Sequence, residues 1–263
     1  MGTVSKALEL LNVFSRSRPL IGLSDLARLT AQNKATCYRL MSELQAHGLV
    51  EQVGTGREYR LGPALLRLAA LREAEVPTRD AALPVLQALA RSTGETAHVS
   101  GLVAGELRMI AFAYSSAHAM KVMMEDADHL PFHATSSGLA VLAFMAPNAR
   151  HAILSQPLDP RTDRTMTDPA ALRDRLKTVR AAGIADSQGG FEVDVNSLAV
   201  PLFDALGQCS GALAVAAPAQ RMTADHAAGI RRALIGAGRE MTKVWGGSLP
   251  DEMAMLWQDE TKG

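Results

Sequence analysis

Apolar residues recur every three or four positions in three segments of the first fifty residues, which is the spacing of amphipathic α-helices. The first segment covers residues 4–17. The second begins after Ser24, the expected N-cap, and ends near Thr30, and the third ends at Gly48. In the third segment the apolar side chains share one stripe, formed by Cys37, Leu40, Met41 and Leu44.

Two short segments, 49–53 and 57–61, flank a turn at 54–56 that contains two glycines, and they predict a β-hairpin. Three helices followed by a hairpin are typical of a winged helix-turn-helix, whose last helix enters the major groove of DNA. Side chains off the apolar stripe can bond to base edges and phosphates. We therefore expect Arg57 to contact the backbone of double-stranded DNA from the hairpin, and the following residues to face the DNA: Gln32, Asn33, Lys34, Thr36, Tyr38 and Arg39. The alternative is a scaffold of the same shape that is used only for protein contacts.

A further helix is predicted over 64–75, because Pro63 suits a first helical turn and Pro77 ends the segment. Its leucines lie on more than one side, so we expect it to pack against a second copy of the chain; the alternative is packing within one chain. The predicted organisation is a DNA-binding domain at 1–62, a linker helix at 63–76 and an effector-binding and oligomerisation domain at 77–263.

The C-terminal part alternates strands with helices and predicts an α+β domain with an antiparallel sheet. A helix at 77–93 comes first, and two predicted hairpins follow it. Their strands lie at 96–103 with 107–113, and at 198–203 with 210–216. Further helices are predicted at 137–145, 150–155 and 169–182, and a final helix is predicted from Thr223 to about Val244.

Composition and charge favour a cytoplasmic protein whose N-terminal part meets nucleic acid. The 263 residues carry a formal net charge of zero, yet residues 1–62 hold eight lysines or arginines against five acids, which suits a unit that meets phosphates. The two cysteines, Cys37 and Cys209, lie in different predicted domains, so we expect reduced thiols and no disulfide. No segment has the length and apolar character of a signal peptide or a membrane span, so we expect a cytoplasmic protein without a membrane partner.

Three segments of the chain together resemble the IclR family of bacterial transcriptional regulators. The first is VSKALELL at 4–11 with the residues around Asn33 to Leu40, the second is LPFHATSSG at 130–138, and the third is LAVPLFD at 198–204 with 211–213. The resemblance covers the chain from end to end. It implies a winged helix joined by a helix to a GAF-like effector domain, assembled as a homodimer or a dimer of dimers. It also implies control of DNA binding by a small organic acid or a related metabolite, without a cofactor.

A carboxylate site is predicted at Ser136 and Ser137. If a helix begins there, free backbone N–H groups and two hydroxyls meet at its positive end. The alternative is that these serines only cap their own helix. By position in the motifs, the resemblance extends ligand contact to Leu130, Ser187, Val195 and Ser197, with Val122 in an apolar wall. Three methionines, Met120, Met123 and Met124, precede the motif, and we expect them to fill the core rather than line a pocket.

Two other functions are weighed against this one. In the first, the C-terminal domain only assembles and binds no ligand. In the second, the chain is a metal-dependent hydrolase whose ligands come from Glu125, Asp126, Asp128, His129 and His133. Pro131 lies between the two histidines, so their spacing does not place them on one face of a helix. We therefore expect neither a metal site nor catalytic residues.

Overall fold

The computed structural model describes residues 2–15, 17–54, 57–125 and 128–259. The chain divides into two compact units, Met1–Pro77 and Thr78–Gly263. Each unit has a hydrophobic core of its own. Within the described residues, no helix combines the length and the apolar character that crossing a membrane requires.

The N-terminal unit begins with three helices and a small sheet. The helices are α1 (Thr3–Asn12), α2 (Leu23–Leu29) and α3 (Lys34–Ala46). Strands β1 (Ile21–Gly22), β2 (Val50–Gln52) and β3 (Glu58–Leu61) pair antiparallel in the order β1-β3-β2. The apolar stripe of α3 is buried in the core together with Leu10, Leu26 and Tyr59, as the periodicity predicted.

Three details of this unit differ from the expectation. Helix α1 ends at Asn12 instead of continuing to residue 17. Gly22, not Ser24, occupies the N-cap position of α2, and no side chain caps that helix. The hydroxyl of Ser24 instead accepts a hydrogen bond from Lys34 Nζ at 2.8 Å. Strand β1 was not predicted because its two residues carry no periodic signal.

Helix α4 (Ala64–Glu75) follows, with Pro63 at its N-cap position. Its large apolar side chains are exposed within the chain: Leu66 is 75% exposed, Leu71 58% and Leu68 46%. Exposed leucines are costly in water, and among the residues that the structure describes this apolar surface has no partner.

The C-terminal unit is built on one antiparallel sheet of five strands in the order β5-β4-β8-β7-β6. The strands are β4 (Thr96–Val103), β5 (Glu106–Ala113), β6 (Ala185–Gln188), β7 (Val195–Phe203) and β8 (Cys209–Pro218). The helices are α5 (Thr78–Thr93), α6 (Ser136–Phe144), α7 (Pro147–Leu154), α8 (Pro169–Ala182), α9 (Ala224–Val244) and α10 (Asp251–Asp259).

Helices cover both faces of this sheet, and this explains why the central strands are buried along most of their length. Helix α9 packs on the face that carries Val200, which lies next to Gly238 of α9. Helix α6 packs on the opposite face, where it meets His98. Neighbouring strands present His98 and Ser197 on that same face, because His98 pairs with Ala214 and Ser197 pairs with Ala216.

The α+β class and the two hairpins are as predicted, but two elements were missed. Strand β6 extends the sheet, and helix α10 follows the helix expected to be the last. Helix α10 is anchored by Trp257, which is fully buried and donates from Nε1 to the carbonyl of Gly183 at 3.1 Å. The expectation that the methionines fill the core rather than line a pocket is wrong for Met120 and Met123, which are 72% and 59% exposed. Met124 is buried in a small apolar cluster, but it also lines a cavity of this unit.

Candidate functional site

One face of α3 is polar and free of the core. Burial of Cys37, Leu40, Met41 and Leu44 turns the opposite side of the helix outward. Tyr38 is 59% exposed, Arg39 is exposed, and Thr36 is half-buried between them and the core. This face presents a hydroxyl, a phenol and a guanidinium, which are groups that bond to base edges and phosphates.

The start of α3 is fixed by its own polar residues. The side chain of Asn33 caps the helix by accepting a hydrogen bond from the backbone N–H of Ala35 at 2.8 Å. Lys34 reaches back to the hydroxyl of Ser24 on α2, and its ammonium group stays exposed. Both residues lie at the helix end that enters DNA in this fold, so they can also contact phosphate.

Gln32 does not face outward, and this corrects the expectation for that residue. Its Nε2 donates to the backbone carbonyl of Lys6 and to Glu9 Oε2, each at 3.1 Å. Both acceptors belong to α1, so the amide holds the turn between α2 and α3 against the first helix. These bonds hold the side chain against α1, so we expect it to support the scaffold rather than to contact DNA.

The hairpin carries two exposed arginines. Arg57 begins the returning segment and is exposed, as expected for a backbone contact. Arg60 lies further along β3 and forms an ion pair with Glu51 across the hairpin. The expected tip of the turn at Thr55 and Gly56 lies outside the described residues.

The seven residues expected to contact an effector line one cavity in the C-terminal unit, with a volume of about 50 Å³. Val122 and Leu130 form part of its apolar wall. Ser136 and Ser137 come from the start of α6, while Ser187, Val195 and Ser197 come from strands β6 and β7. The fold therefore brings together residues that are spread over seventy-five positions of the chain.

The first turn of α6 presents polar groups to this cavity. Thr135 is the N-cap, and its hydroxyl accepts from the N–H of Gly138 at 2.9 Å. Thus Ser136 and Ser137 do not cap the helix. They are its first two residues, so their N–H groups have no intrahelical acceptor, and the positive end of the helix dipole points at the cavity. The turn is tight, because a Cβ on Gly138 would lie 2.4 Å from Phe132 Cα and from the Phe132 carbonyl oxygen.

His98 is a cavity residue that sequence reasoning missed. It is only 5% exposed and lines the same cavity. Its Nε2 lies 3.3 Å from Ser137 Oγ, and its Nδ1 has no hydrogen-bond partner within the described part of the chain. Burial lowers the pKa of the ring to about 4, so the imidazole is neutral at neutral pH.

Ser187 links two segments that line the cavity. Its hydroxyl donates to the carbonyl of Ala134 at 3.0 Å, which joins β6 to the loop before α6. Gly190 passes close by, since a Cβ there would lie 2.7 Å from both Ala134 O and Ser187 Oγ. The hydroxyl of Ser187 therefore already donates its hydrogen bond within the protein, and toward a ligand it can act only as an acceptor.

The candidate metal ligands are dispersed in the structure. His129 Nδ1 lies 3.6 Å from Glu106 Oε2, whereas His133 Nε2 is 2.9 Å from the carbonyl of Asp159. Glu125 accepts from the Tyr114 hydroxyl at 2.6 Å. Within 2–15, 17–54, 57–125 and 128–259, no three histidines, cysteines or acids come together as a metal site, and Asp126 lies outside those ranges.

The winged helix-turn-helix, with an exposed polar face on its third helix, defines a class of DNA-binding regulator. Family comparison agrees with this class. Residues 3–54 match the IclR helix-turn-helix domain, and residues 69–243 match the bacterial transcriptional regulator IclR C-terminal domain. The chain belongs to the IclR family of DNA-binding transcriptional regulators.

Individual relatives are similar over most of their length. The glycerol operon regulatory protein of Streptomyces griseus is 31% identical over 226 residues, which cover 86% of this chain and 88% of the relative. A crystal structure of an IclR transcriptional regulator from a Silicibacter species shares 56% identity, with a TM-score of 0.88 and coverage of 96% and 99%. An IclR homolog from Microbacterium hydrocarbonoxydans, crystallised with 4-hydroxybenzoate, shares 27% identity with a TM-score of 0.56 and coverage of 92% and 100%.

Proposed function

We propose that this regulator is controlled by a small organic acid that binds the cavity beside α6. The observation that carries the proposal is the meeting of the α6 N-terminus with four serines and one histidine in a cavity whose walls are mostly apolar. Free N–H groups and a helix dipole favour an anion, and apolar walls favour a carbon skeleton. The 4-hydroxybenzoate complex of the Microbacterium hydrocarbonoxydans homolog supports an acid as the ligand class.

The cavity volume favours a short acid. A buried water requires roughly 10 to 15 Å³ of such volume, so about 50 Å³ corresponds to about four waters. That space suits an acid of a few non-hydrogen atoms. An aromatic acid would have to displace wall residues, and the exposed Met123 and the half-buried Phe191 at the wall are the side chains with freedom to move.

For the DNA contact, we propose that α3 reads the major groove through Thr36, Tyr38 and Arg39. Asn33 and Lys34 contact phosphates at the start of the helix, and Arg57 does so from the hairpin. For assembly, we propose a homodimer or dimer of dimers formed through the exposed leucines of α4. The proposed organisation is 1–62 for DNA, 63–76 for linkage and 77–263 for effector binding. A cytoplasmic location follows from the DNA target.

The test is thermal unfolding of the full chain against acetate, pyruvate, 4-hydroxybenzoate and methanesulfonate. An acid at a hundredfold excess over its dissociation constant adds about 2.7 kcal/mol to the folded state, which raises the Tm by a few degrees. Ser137→Leu is expected to abolish the shift and leave DNA binding intact, because its side chain lies at the cavity and not on the DNA-binding unit.

Ser100→Ala is the matched control. Ser100 is as fully buried as Ser137 and lies on the same face of β4 as His98, but it is not among the residues that line the cavity. It is expected to keep the ligand shift. The competing function, a C-terminal domain that only assembles, predicts no shift with any of these acids. Loss of DNA binding together with the ligand response in Ser137→Leu would indicate a folding defect instead.

A further inference from the structure

The cavity has no fixed positive charge for the acid it is proposed to bind. Among its described lining residues none is a lysine or arginine, and the one carboxylate, Glu192, has the wrong sign for an anion. The end of a helix supplies about half of an elementary charge. Because moving a carboxylate out of water is costly unless it is paired, a second source of positive charge is needed.

His98 is the cavity group that can supply this charge. A neutral imidazole has one donor and one acceptor nitrogen, and only Nε2 has a partner, the Ser137 hydroxyl. In either tautomer Nδ1 is therefore left without a bond in a buried position. An imidazolium has two donors, so Nε2–H would donate to Ser137 Oγ. The Ser137 O–H would then be released to donate to a ligand.

We propose that His98 is the residue that selects monoanionic acids, by taking up one proton from solvent as the carboxylate enters the cavity. This inference rests on the proposed effector function of the same site. The charges balance: the carboxylate brings one negative charge, and the proton taken up by the neutral ring brings one positive charge. The product is a carboxylate paired with an imidazolium. The complex thus adds no net charge to a buried cavity, and the acid is distinguished from neutral analogues of the same shape.

Few other groups that titrate face His98. Within the sheet it pairs with Phe112 of β5 and Ala214 of β8, and from α6 it meets Ser137. Strand β7 contributes Ser197 to the cavity, and the segment before β7 contributes Glu192, the other described cavity residue with an ionisable side chain. Burial alone lowers the pKa of His98, so the ring is uncharged before the acid arrives.

The test is isothermal titration calorimetry of the full chain with acetate, pyruvate and 4-hydroxybenzoate, in buffers of different ionisation enthalpy. We expect uptake of about one proton per bound acid near pH 7, and a Kd that rises about tenfold per pH unit between pH 6 and 8. In His98→Gln, proton uptake and this pH dependence should both disappear. Glu192→Gln, the matched control at the other titrating group, should keep both.

Each other outcome overturns the inference in a distinguishable way. Binding to the wild type without proton uptake removes the role of His98 and leaves the effector function standing. If proton uptake persists in His98→Gln, the proton goes to a group other than His98. That group is Glu192 if the uptake is lost in Glu192→Gln, and the bound acid if it is not. Absence of binding by all three acids at every pH defeats the proposed effector function itself.

A second measurement reads the charge of the His98 ring in the wild type itself. Ring-nitrogen NMR spectra of the wild type, with the His98 signals assigned by their loss in His98→Asn, report the charge of the imidazole directly. We expect a neutral ring without ligand and an imidazolium with saturating acid at the same pH. A ring that stays neutral in the complex overturns the inference.

Discussion

Arg221 donates two hydrogen bonds to the buried carboxylate of Glu95, from Nε to Oε1 at 2.7 Å and from Nη2 to Oε2 at 2.6 Å. Glu95 is only 1% exposed and precedes β4, while Arg221 precedes α9. The same pairing raises the pKa of Arg221, chiefly through this hydrogen bond. This two-bond pairing of a guanidinium with a carboxylate holds the start of β4, the strand that carries His98.

Arg221→Met is therefore expected to lower the free energy of unfolding by about 3 kcal/mol, because the buried carboxylate of Glu95 would lose both hydrogen bonds that Arg221 donates. Lys177→Met is the control, since Lys177 pairs with Asp174 where both side chains are more than three-quarters exposed. The control should change stability by about 0.5 kcal/mol or less. Urea unfolding of both variants measures the difference, and equal losses would show that the buried pair contributes no more than a surface pair.

The buried imidazole of His98 predicts a loss of stability in acid. Its pKa in the folded, ligand-free chain is about 4, against an ordinary value of about 6.5, because burial disfavours the charged ring. Between these two values the unfolded chain binds a proton that the folded chain does not, so the free energy of unfolding falls as the pH falls. The fall contributed by His98 between pH 7 and pH 4 should be about 3 kcal/mol.

Urea unfolding of wild type and His98→Gln at pH 7 and pH 4 isolates this contribution. The variant should lose about 3 kcal/mol less than the wild type over that interval. His151→Gln, at an exposed histidine of α7, serves as the control and should follow the wild type. A His98→Gln variant with an unchanged acid profile would mean that the ring takes up its proton at the same pH in the folded and the unfolded chain.

The sequence predicted the fold well because its hydrophobic periods are regular. Helix α8 has the predicted bounds, since Asp168, Pro169 and Gly183 mark its two ends. Helix α10 carried a weaker signal, the spacing of Met253, Leu256 and Trp257, over only nine residues. From sequence alone, such a short helix cannot be distinguished from an irregular C-terminal segment. The contact that buries Trp257 is visible only in the structure.

The polar sites were predicted less completely, because their geometry depends on residues that are distant in sequence. His98 lies thirty-nine positions before Ser137, so no spacing pointed to their contact. Gln32 was misassigned for the same reason, since its acceptors lie twenty-three and twenty-six positions away on α1. The position of Ser136 and Ser137 at the start of a helix was predicted, because a helix N-terminus is a local feature of the chain.

The corrected role of Gln32 separates two variants of the DNA-binding unit. Arg39→Ala should weaken binding to a selected duplex by about 1 to 3 kcal/mol if it reads a base, and should weaken all duplexes alike if it holds phosphate. It should leave stability unchanged, because the side chain is exposed. Gln32→Ala should instead lower stability by about 1 to 2 kcal/mol through the loss of its bonds to α1.

Fluorescence anisotropy on a duplex selected from a random library measures the first effect, and urea unfolding measures the second. At temperatures where Gln32→Ala is folded, its affinity for DNA should match that of the wild type. Arg39→Ala with unchanged affinity on every duplex would exclude both of its proposed roles, and weaker binding by folded Gln32→Ala would return that residue to the DNA face.

The exposed leucines of α4 predict how the chain assembles. Burying one leucine is worth about 1.5 to 3 kcal/mol, so a dimer formed through Leu66 and Leu71 should be strongly weakened by the pair Leu66→Glu and Leu71→Glu. Sedimentation velocity should show the wild type as a dimer or tetramer and the double variant as a smaller species. Leu20→Glu is the matched control, because Leu20 is 43% exposed but lies outside α4. A double variant that sediments like the wild type would place the subunit contact on another surface, and a wild type that sediments as a monomer would refute the proposed assembly.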